Sequence, residues 1–180
     1  MLPVMIRGLT MEQKTCFDRL FNELIVLEGG YSNHPQDKGG ETMYGITRET
    51  ARAYGYTGNM RNMPLSTAKE IYRKGFWEKY KCSQMPEVLA DHFFDACVNH
   101  GAGNAARFLQ RALGVADDGI IGKITLAAVN DCSNVLALIV RFNMERLAFY
   151  TKLSGFNSFG RGWVNRVVKK LNHTLEYFAL

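Results

Sequence analysis

Apolar residues recur at helical spacing along almost the whole chain, and no run sustains the period-2 alternation of a strand. Only a 3.6-residue repeat gathers such positions onto one face, so periodicity is the strongest local constraint on what this chain can fold into. The chain is predicted to be mainly α, with one small hairpin near residues 41–46 as its only strand candidate. Thr10 and Gln13 form a capping-box pattern, and Met11, Phe17, Leu20, Phe21, Leu24 and Leu27 fill one stripe of a helix that stops at Gly29-Gly30. Thr47 is placed to cap a short helix ended by Gly55, and Ser66 to cap one carrying Ile71, Tyr72, Phe76 and Trp77. Pro86 opens a further helix, broken at Gly101 and Gly103, and residues 105–113 continue beyond it. Asp117-Asp118-Gly119 and Gly122 form a turn before a helix at 124–129, and Ser133 caps a long helix over 135–153. Residues 154–162 read as a linker, followed by a basic terminal helix over 163–178.

The first helix ends in a way that bears on chemistry. Residues 28–47 read EGGYSNHPQDKGGETMYGIT. Glu28 sits where a helix stops, and Asp37 sits in a polar, glycine-rich loop. A carboxyl against apolar helix residues stays protonated near neutral pH, whereas a solvated, hydrogen-bonded one stays ionised. Two carboxyl groups in unlike surroundings make the acid and the base or electrostatic partner that cleavage of a sugar bond requires. A Glu before Gly-Gly is by itself commonly a surface charge beside a helix stop. What weighs against that reading is the loop, where Asn33, His34, Asp37, Thr42 and Tyr44 alternate with Gly39, Gly40 and Gly45. Such residues suit a hairpin that lets a substrate approach the backbone, and they are poor material for a core.

Other chemistries find little support. His34, His92, His100 and His173 are the only histidines, and none falls in a metal-ligand spacing. His92 and His100 are expected to be a helix-surface residue and a loop hydrogen-bonding residue. There is no nucleophile elbow, phosphate-binding loop or dinucleotide fingerprint. Cys16, Cys82, Cys97 and Cys132 lack any CxxC pairing, and all four are expected reduced, with Cys16, Cys97 and Cys132 in helical apolar surroundings. No run approaches the roughly 20 apolar residues of a membrane span, and the N-terminus lacks a secretory pattern. The expected location is the cytoplasm of a host cell, with access to the wall gained after membrane permeabilisation. Residues 1–140 are charge-balanced, so the whole net charge of +5 lies in residues 141–180, with seven basic and two acidic side chains. A basic segment of this kind points to an anionic partner or to a solvated helix face.

The run EGGYSNHPQDKGGETMYGIT resembles the signature of glycoside hydrolase family 108, the N-acetylmuramidases found among bacteriophage endolysins. FWEKYKCSQMPEVLADHFFDACVNHGAGNAARFLQRALGV, DDGIIGKITLAAVN and FYTKLSGFNSFGRGWVNRV are similar to the rest of that family, including its C-terminal predicted peptidoglycan domain. The resemblance covers about residues 10–170. The spacing of Glu28, Asp37 and Thr42 also resembles the Glu-Asp-Thr triad of phage-type lysozymes. Thr42 follows Asp37 with four residues between, against five in that pattern, and His34 stands where many relatives carry Asp.

The resemblance implies a single lysozyme-like domain over residues 1–180, with residues 10–100 its catalytic part and 101–180 a helical peptidoglycan-domain part. It implies a small hairpin and loop carrying the catalytic residues, and a hydrolase that cuts the β-1,4 bond from N-acetylmuramic acid to N-acetylglucosamine in host cell lysis. Glu28 would be the acid, Asp37 would stabilise the sugar cation or activate water, and Thr42 would hold that water; Glu41 and Glu49 are alternatives to Asp37. Tyr31, Asn33, Tyr44, Trp77, Asn99 and His100 are the candidates for a glycan groove, with Tyr72 beside them, while core packing competes for Tyr72 and Trp77. Asp95 is as readily a structural hydrogen-bonding group. DGIIGKIT resembles the DGxxGxxT turn of peptidoglycan-binding modules. No metal or organic cofactor is implied, and the partners are peptidoglycan glycan strands, with anionic envelope lipids a further partner for the basic terminal helix. No nucleic acid partner is expected, and a monomer is. The competing readings are a non-catalytic peptidoglycan-binding protein and an N-acetylmuramoyl-L-alanine amidase.

Overall fold

The computed structural model describes residues 16–33 and 40–180, without the side chains of Leu27 and Glu28. The capping box at Thr10 and Gln13, and the loop residues His34 and Asp37, lie outside the described residues. The fold is mainly α and lysozyme-like, with eight α-helices and one three-stranded sheet among the described residues. The chain divides into two compact units, Met1–Ile71 and Tyr72–Leu180.

In the first unit, α1 (Cys16–Glu28) buries Phe17, Leu20, Phe21 and Leu24, the stripe that the periodicity predicts. Asp18 on its first turn pairs with Lys69 at 2.8 Å. The helix ends as Gly29 takes a φ of 71°, a left-handed conformation that only glycine reaches without strain. β1 (Tyr31–Ser32), β2 (Thr42–Met43) and β3 (Ile46–Thr47) then form an antiparallel sheet in that order. Tyr31 pairs with Met43 and Met43 with Ile46. The expected hairpin is thus β2–β3, and β1 adds a strand that two residues could not announce through alternation. Thr47 caps α2 (Arg48–Ala53) by accepting from the Thr50 amide at 3.1 Å, and Gly55, at φ 87°, follows its end. A 3₁₀ turn at Met60–Asn62 buries Met60 and leads to α3 (Leu65–Tyr72). Ser66 is not the cap of α3: the Pro64 carbonyl already accepts from Thr67 and Ala68, so the helix begins one residue earlier.

The second unit is built around α4 (Glu87–His100), in which every residue from 88 to 97 is buried. A helix apolar on one stripe sits at a surface, but one buried on all sides must be central. It follows a π-helical turn, Arg73–Glu78, and a 3₁₀ turn, Cys82–Gln84. Gly101, at φ 78°, turns the chain into α5 (Ala102–Leu113), and Gly103 lies inside that helix rather than breaking it. After α6 (Lys123–Asn130), Asn134 and not Ser133 caps α7 (Val135–Tyr150), its side-chain oxygen accepting from Ala137 N at 2.8 Å. The expected linker at 154–162 is largely helical, because α8 runs unbroken over Phe156–Tyr177. Gly160 is buried there, and a Cβ on it would meet the Phe156 ring at 2.6 Å, so this glycine serves packing inside a helix. α4 packs on α5, α7 and α8, and the Phe142 ring meets Phe93 tilted and Phe108 edge-on in the core, both at centroid distances of 6.4 Å.

The polar residues of α4 are answered by the helices around it. Asp95, 3% exposed, receives Arg146 Nη2 of α7 and Arg166 Nε of α8, each at 2.8 Å. Asp91 pairs with Lys170 of α8. His92, expected on a helix surface, is fully buried: its ring nitrogens meet Thr174 Oγ1 at 2.7 Å and Asn143 Nδ2 at 3.0 Å. Burial, then the nearby Arg146 and Lys170 cations, push its pKa down to about 3, so the ring is neutral. Arg146, Arg166 and Lys170, three of the seven C-terminal cations, thus serve internal ion pairs, which reduces what that segment offers an anionic surface. All four cysteines are free thiols; Cys132 lies half-buried between α6 and α7 rather than within a helix. No described helix is long and apolar enough to cross a membrane.

Candidate active site

The sheet of the first unit gathers Tyr31 on β1, Thr42 on β2 and Tyr44 in the β2–β3 turn. Glu28 is the last residue of α1, two glycines before β1, and exposed Asn33 follows that strand. Asp37 lies outside the described residues, as does the Glu28 side chain. Thr42 is half-buried, pairs with Ser32 and Thr47 through its backbone, and leaves its hydroxyl unbonded among the described residues. Tyr44 and Gly45 both have positive φ, 54° and 74°, as a two-residue hairpin turn of the primed type demands. Tyrosine in that region costs about 1 kcal/mol, a strain of the kind that collects at ligand-contacting turns.

The most constrained charge here is Glu41, whose side chain is 14% exposed. Arg48 Nε reaches its Oε2 at 2.6 Å, and the Arg48 Nη2 group binds the same oxygen. Burial raises the Glu41 pKa, but hydrogen bonds from Tyr31 and Arg48 and the charges of Arg48 and Arg61 outweigh it, and the net shift is downward. Glu41 is therefore an ionised anchor of the hairpin and a poor proton donor. Arg61 lies over the Tyr31 ring, 3.7 Å from its centroid, and fixes that ring from the other side. The sequence reading did not find Arg48 and Arg61. Arg48 had a local signal, an opposite charge seven residues away across a hairpin; Arg61 had none. Glu49 is exposed on α2.

The remaining candidates belong to the second unit. Trp77 is 7% exposed and meets Phe94 edge-on at 5.8 Å, and Tyr72 is 2% exposed beside the same ring; both sit in the core. Asn99 Nδ2 donates to the Asp95 carbonyl at 2.7 Å. His100 shares a 2.8 Å hydrogen bond with Tyr150 Oη and packs on Phe108 and Phe149. Burial, then the Arg146 charge, lower its pKa to about 3. Among the described residues, no three His, Cys, Asp or Glu side chains converge as a metal site would need.

The DGIIGKIT turn is ordered from within. Gln110, 1% exposed on α5, donates to Asp118 Oδ1 at 2.7 Å, to the Ile120 carbonyl at 3.0 Å and to Thr125 Oγ1 at 3.2 Å. Its own oxygen accepts from Gly119 N at 2.8 Å. The Ile120 amide, then Gln110, hold the Asp118 carboxyl below its ordinary pKa. Gly119 takes a φ of 81°, and a Cβ there would press on the Arg107 guanidinium at 3.1 Å. The Asp, Gly and Thr of the motif thus build the turn.

A helical scaffold with a short sheet directly after a helix-terminal glutamate is the layout of a lysozyme-like glycoside hydrolase. Comparison with known proteins agrees. The family model for glycosyl hydrolase 108 matches residues 21–101, and that for the predicted peptidoglycan domain matches residues 104–168. Among solved structures, SagA of Brucella abortus superposes with a TM-score of 0.82 at 32% identity, over 91% of this chain and 95% of that one. No functionally curated protein gives a significant match. The chain belongs to the glycosyl hydrolase 108 family and is a peptidoglycan hydrolase.

Proposed function

We propose that the protein is an N-acetylmuramidase that hydrolyses the β-1,4 bond between N-acetylmuramic acid and N-acetylglucosamine, acting as an endolysin in host lysis. Glu28 protonates the glycosidic oxygen as positive charge grows on the sugar ring, and Asp37 either stabilises that charge or activates water. Thr42 offers the water a hydroxyl that no described residue occupies. Tyr31, Asn33 and Tyr44 present aromatic and amide surface to the glycan, and Asn99 and His100 are further glycan-binding candidates in the second unit.

The observation that carries this reading is the division of labour among the first unit's carboxyl groups. Glu41 is bound to Arg48 and Tyr31 and stays ionised, which argues against it as the acid and supports Glu28, at the end of α1, in that role. The test is digestion of purified peptidoglycan with product analysis by mass spectrometry. New reducing muramic acid ends are expected; reducing glucosamine ends, freed stem peptides or no products would each defeat the proposal.

A further inference from the structure

A cavity of about 420 Å³ opens in the second unit where α5 ends, α6 ends and α7 begins. That volume lies within the range of small-molecule sites and exceeds the needs of a few waters. Ala112 and Leu138 give it an apolar floor, while Asp131, Ser133, Asn134 and Arg141 supply its polar wall. Residues 137, 138 and 141 of α7, with its cap Asn134, lie on one side of the helix, so the wall is built on a rigid element.

Its two charges, Asp131 and Arg141, are both solvent-exposed. Asp131 and Arg141 have no ion-pair partner among the described residues, yet both line this one cavity. An unpaired carboxylate and an unpaired guanidinium lining the same hollow suit a ligand that carries both complements. Asp131 also sits where α6 ends, and the negative ends of α5 and α6 add to its preference for a cation. Arg141 presents a guanidinium fork for a carboxylate.

We propose that this cavity binds a free amino-acid end, an ammonium beside a carboxylate, as carried by the diamino-acid residue of an uncrosslinked peptidoglycan peptide stem. The inference rests on the chain's being a peptidoglycan hydrolase, and it gives the domain behind the catalytic part a ligand other than the glycan. The wall contains no aromatic platform for a sugar ring. An inorganic anion would face Asp131, and an apolar ligand would strand both charges. Recognising a free stem end would hold the enzyme on strands with few crosslinks while the first unit works on the glycan.

The test is a titration of the isotope-labelled full chain, followed by amide chemical shifts, with the tripeptide L-Ala-γ-D-Glu-meso-diaminopimelate. A second probe is the same peptide with its free side-chain amine acetylated and the adjacent carboxylate amidated. The tripeptide should give saturable shifts centred on residues 131–141, and the blocked peptide should bind at least about tenfold more weakly. Asp131→Asn and Arg141→Gln should each weaken tripeptide binding by about tenfold, with an unchanged dispersion of resonances elsewhere confirming the fold. Absence of saturable shifts, equal binding of the blocked peptide, or indifference to both substitutions overturns the proposal. If the wild-type chain still releases reducing muramic acid ends in that case, only the stem site has failed. If it releases none, the muramidase reading has failed separately.

Discussion

Asp95→Ala is the sharpest probe of what holds the second unit together. Asp95 is 3% exposed and accepts two charge-assisted hydrogen bonds at 2.8 Å, from helices 51 and 71 residues away in sequence. Its pKa is lowered: burial opposes ionisation, but Arg146, Arg166 and Lys170 overcome it. Removing the carboxylate leaves the Arg146 guanidinium fully buried, with contacts of 3.3–3.4 Å to Asn143, His100 and Tyr150 and no partner for its Nε. An uncompensated buried charge costs about 3–5 kcal/mol. Arg166, whose side chain is 20% exposed, recovers part of its loss from water, so Arg166→Ala should cost only about 1–2 kcal/mol. At roughly 2–4 °C per kcal/mol for a chain of this size, Asp95→Ala should lower Tm by about 6–20 °C. Both tryptophans, Trp77 and Trp163, lie in the second unit, so urea unfolding followed by their fluorescence reads this unit directly. The double substitution Asp95→Leu/Arg146→Met should recover most of the loss, because the fully buried guanidinium goes with its partner and only the partly exposed Arg166 loses its carboxylate. A cost below about 1 kcal/mol for Asp95→Ala, or no recovery in the double variant, would refute the reasoning.

Three further outcomes follow from the same geometry. His92 and His100 are held neutral, with folded pKa values of about 3 against 6.5 when unfolded. Their contribution is complete above pH 6.5 and is lost as pH falls toward 3, because only the unfolded chain takes up their protons; stability should drop by about 2–3 kcal/mol between pH 6.5 and 5, and a flat denaturation profile there would contradict this. Gln110→Ala should cost about 2–3 kcal/mol and speed hydrogen exchange at the Gly119 amide; unchanged exchange would show that the turn stands without it. Tyr44→Gly should relieve the positive φ, keeping or raising Tm, while slowing peptidoglycan turnover several-fold; wild-type turnover would remove Tyr44 from the site.

How much of this was legible depended on the range of the interaction involved. The α1 stripe, the Thr47 cap and the stops at Gly29 and Gly55 are local events, and the residue types sufficed. The caps at Ser66 and Ser133 failed because a proline carbonyl and the neighbouring Asn134 met the same need first. Residues 154–162 looked like a linker because glycines usually end helices, whereas Gly160 is there to let Phe156 close down. The burial of His92 and the inward turn of Arg146, Arg166 and Lys170 were illegible, since their partners stand 51 to 82 residues away. Within the candidate site, residue types alone nominate Glu28, Thr42, Tyr31 and Tyr44 as candidates, while the pairing that weighs against Glu41 as an acid needed coordinates.

The central claim is that Glu28 is the acid, and the most direct measurement is the rate of reducing-end release from purified peptidoglycan by Glu28→Gln beside the wild type. Glutamine keeps the size of the side chain and loses only the proton it can donate. The rate should fall by about 100-fold or more, with Tm essentially unchanged and reducing muramic acid ends from the wild type alone. Wild-type rates from a folded Glu28→Gln protein would contradict the account.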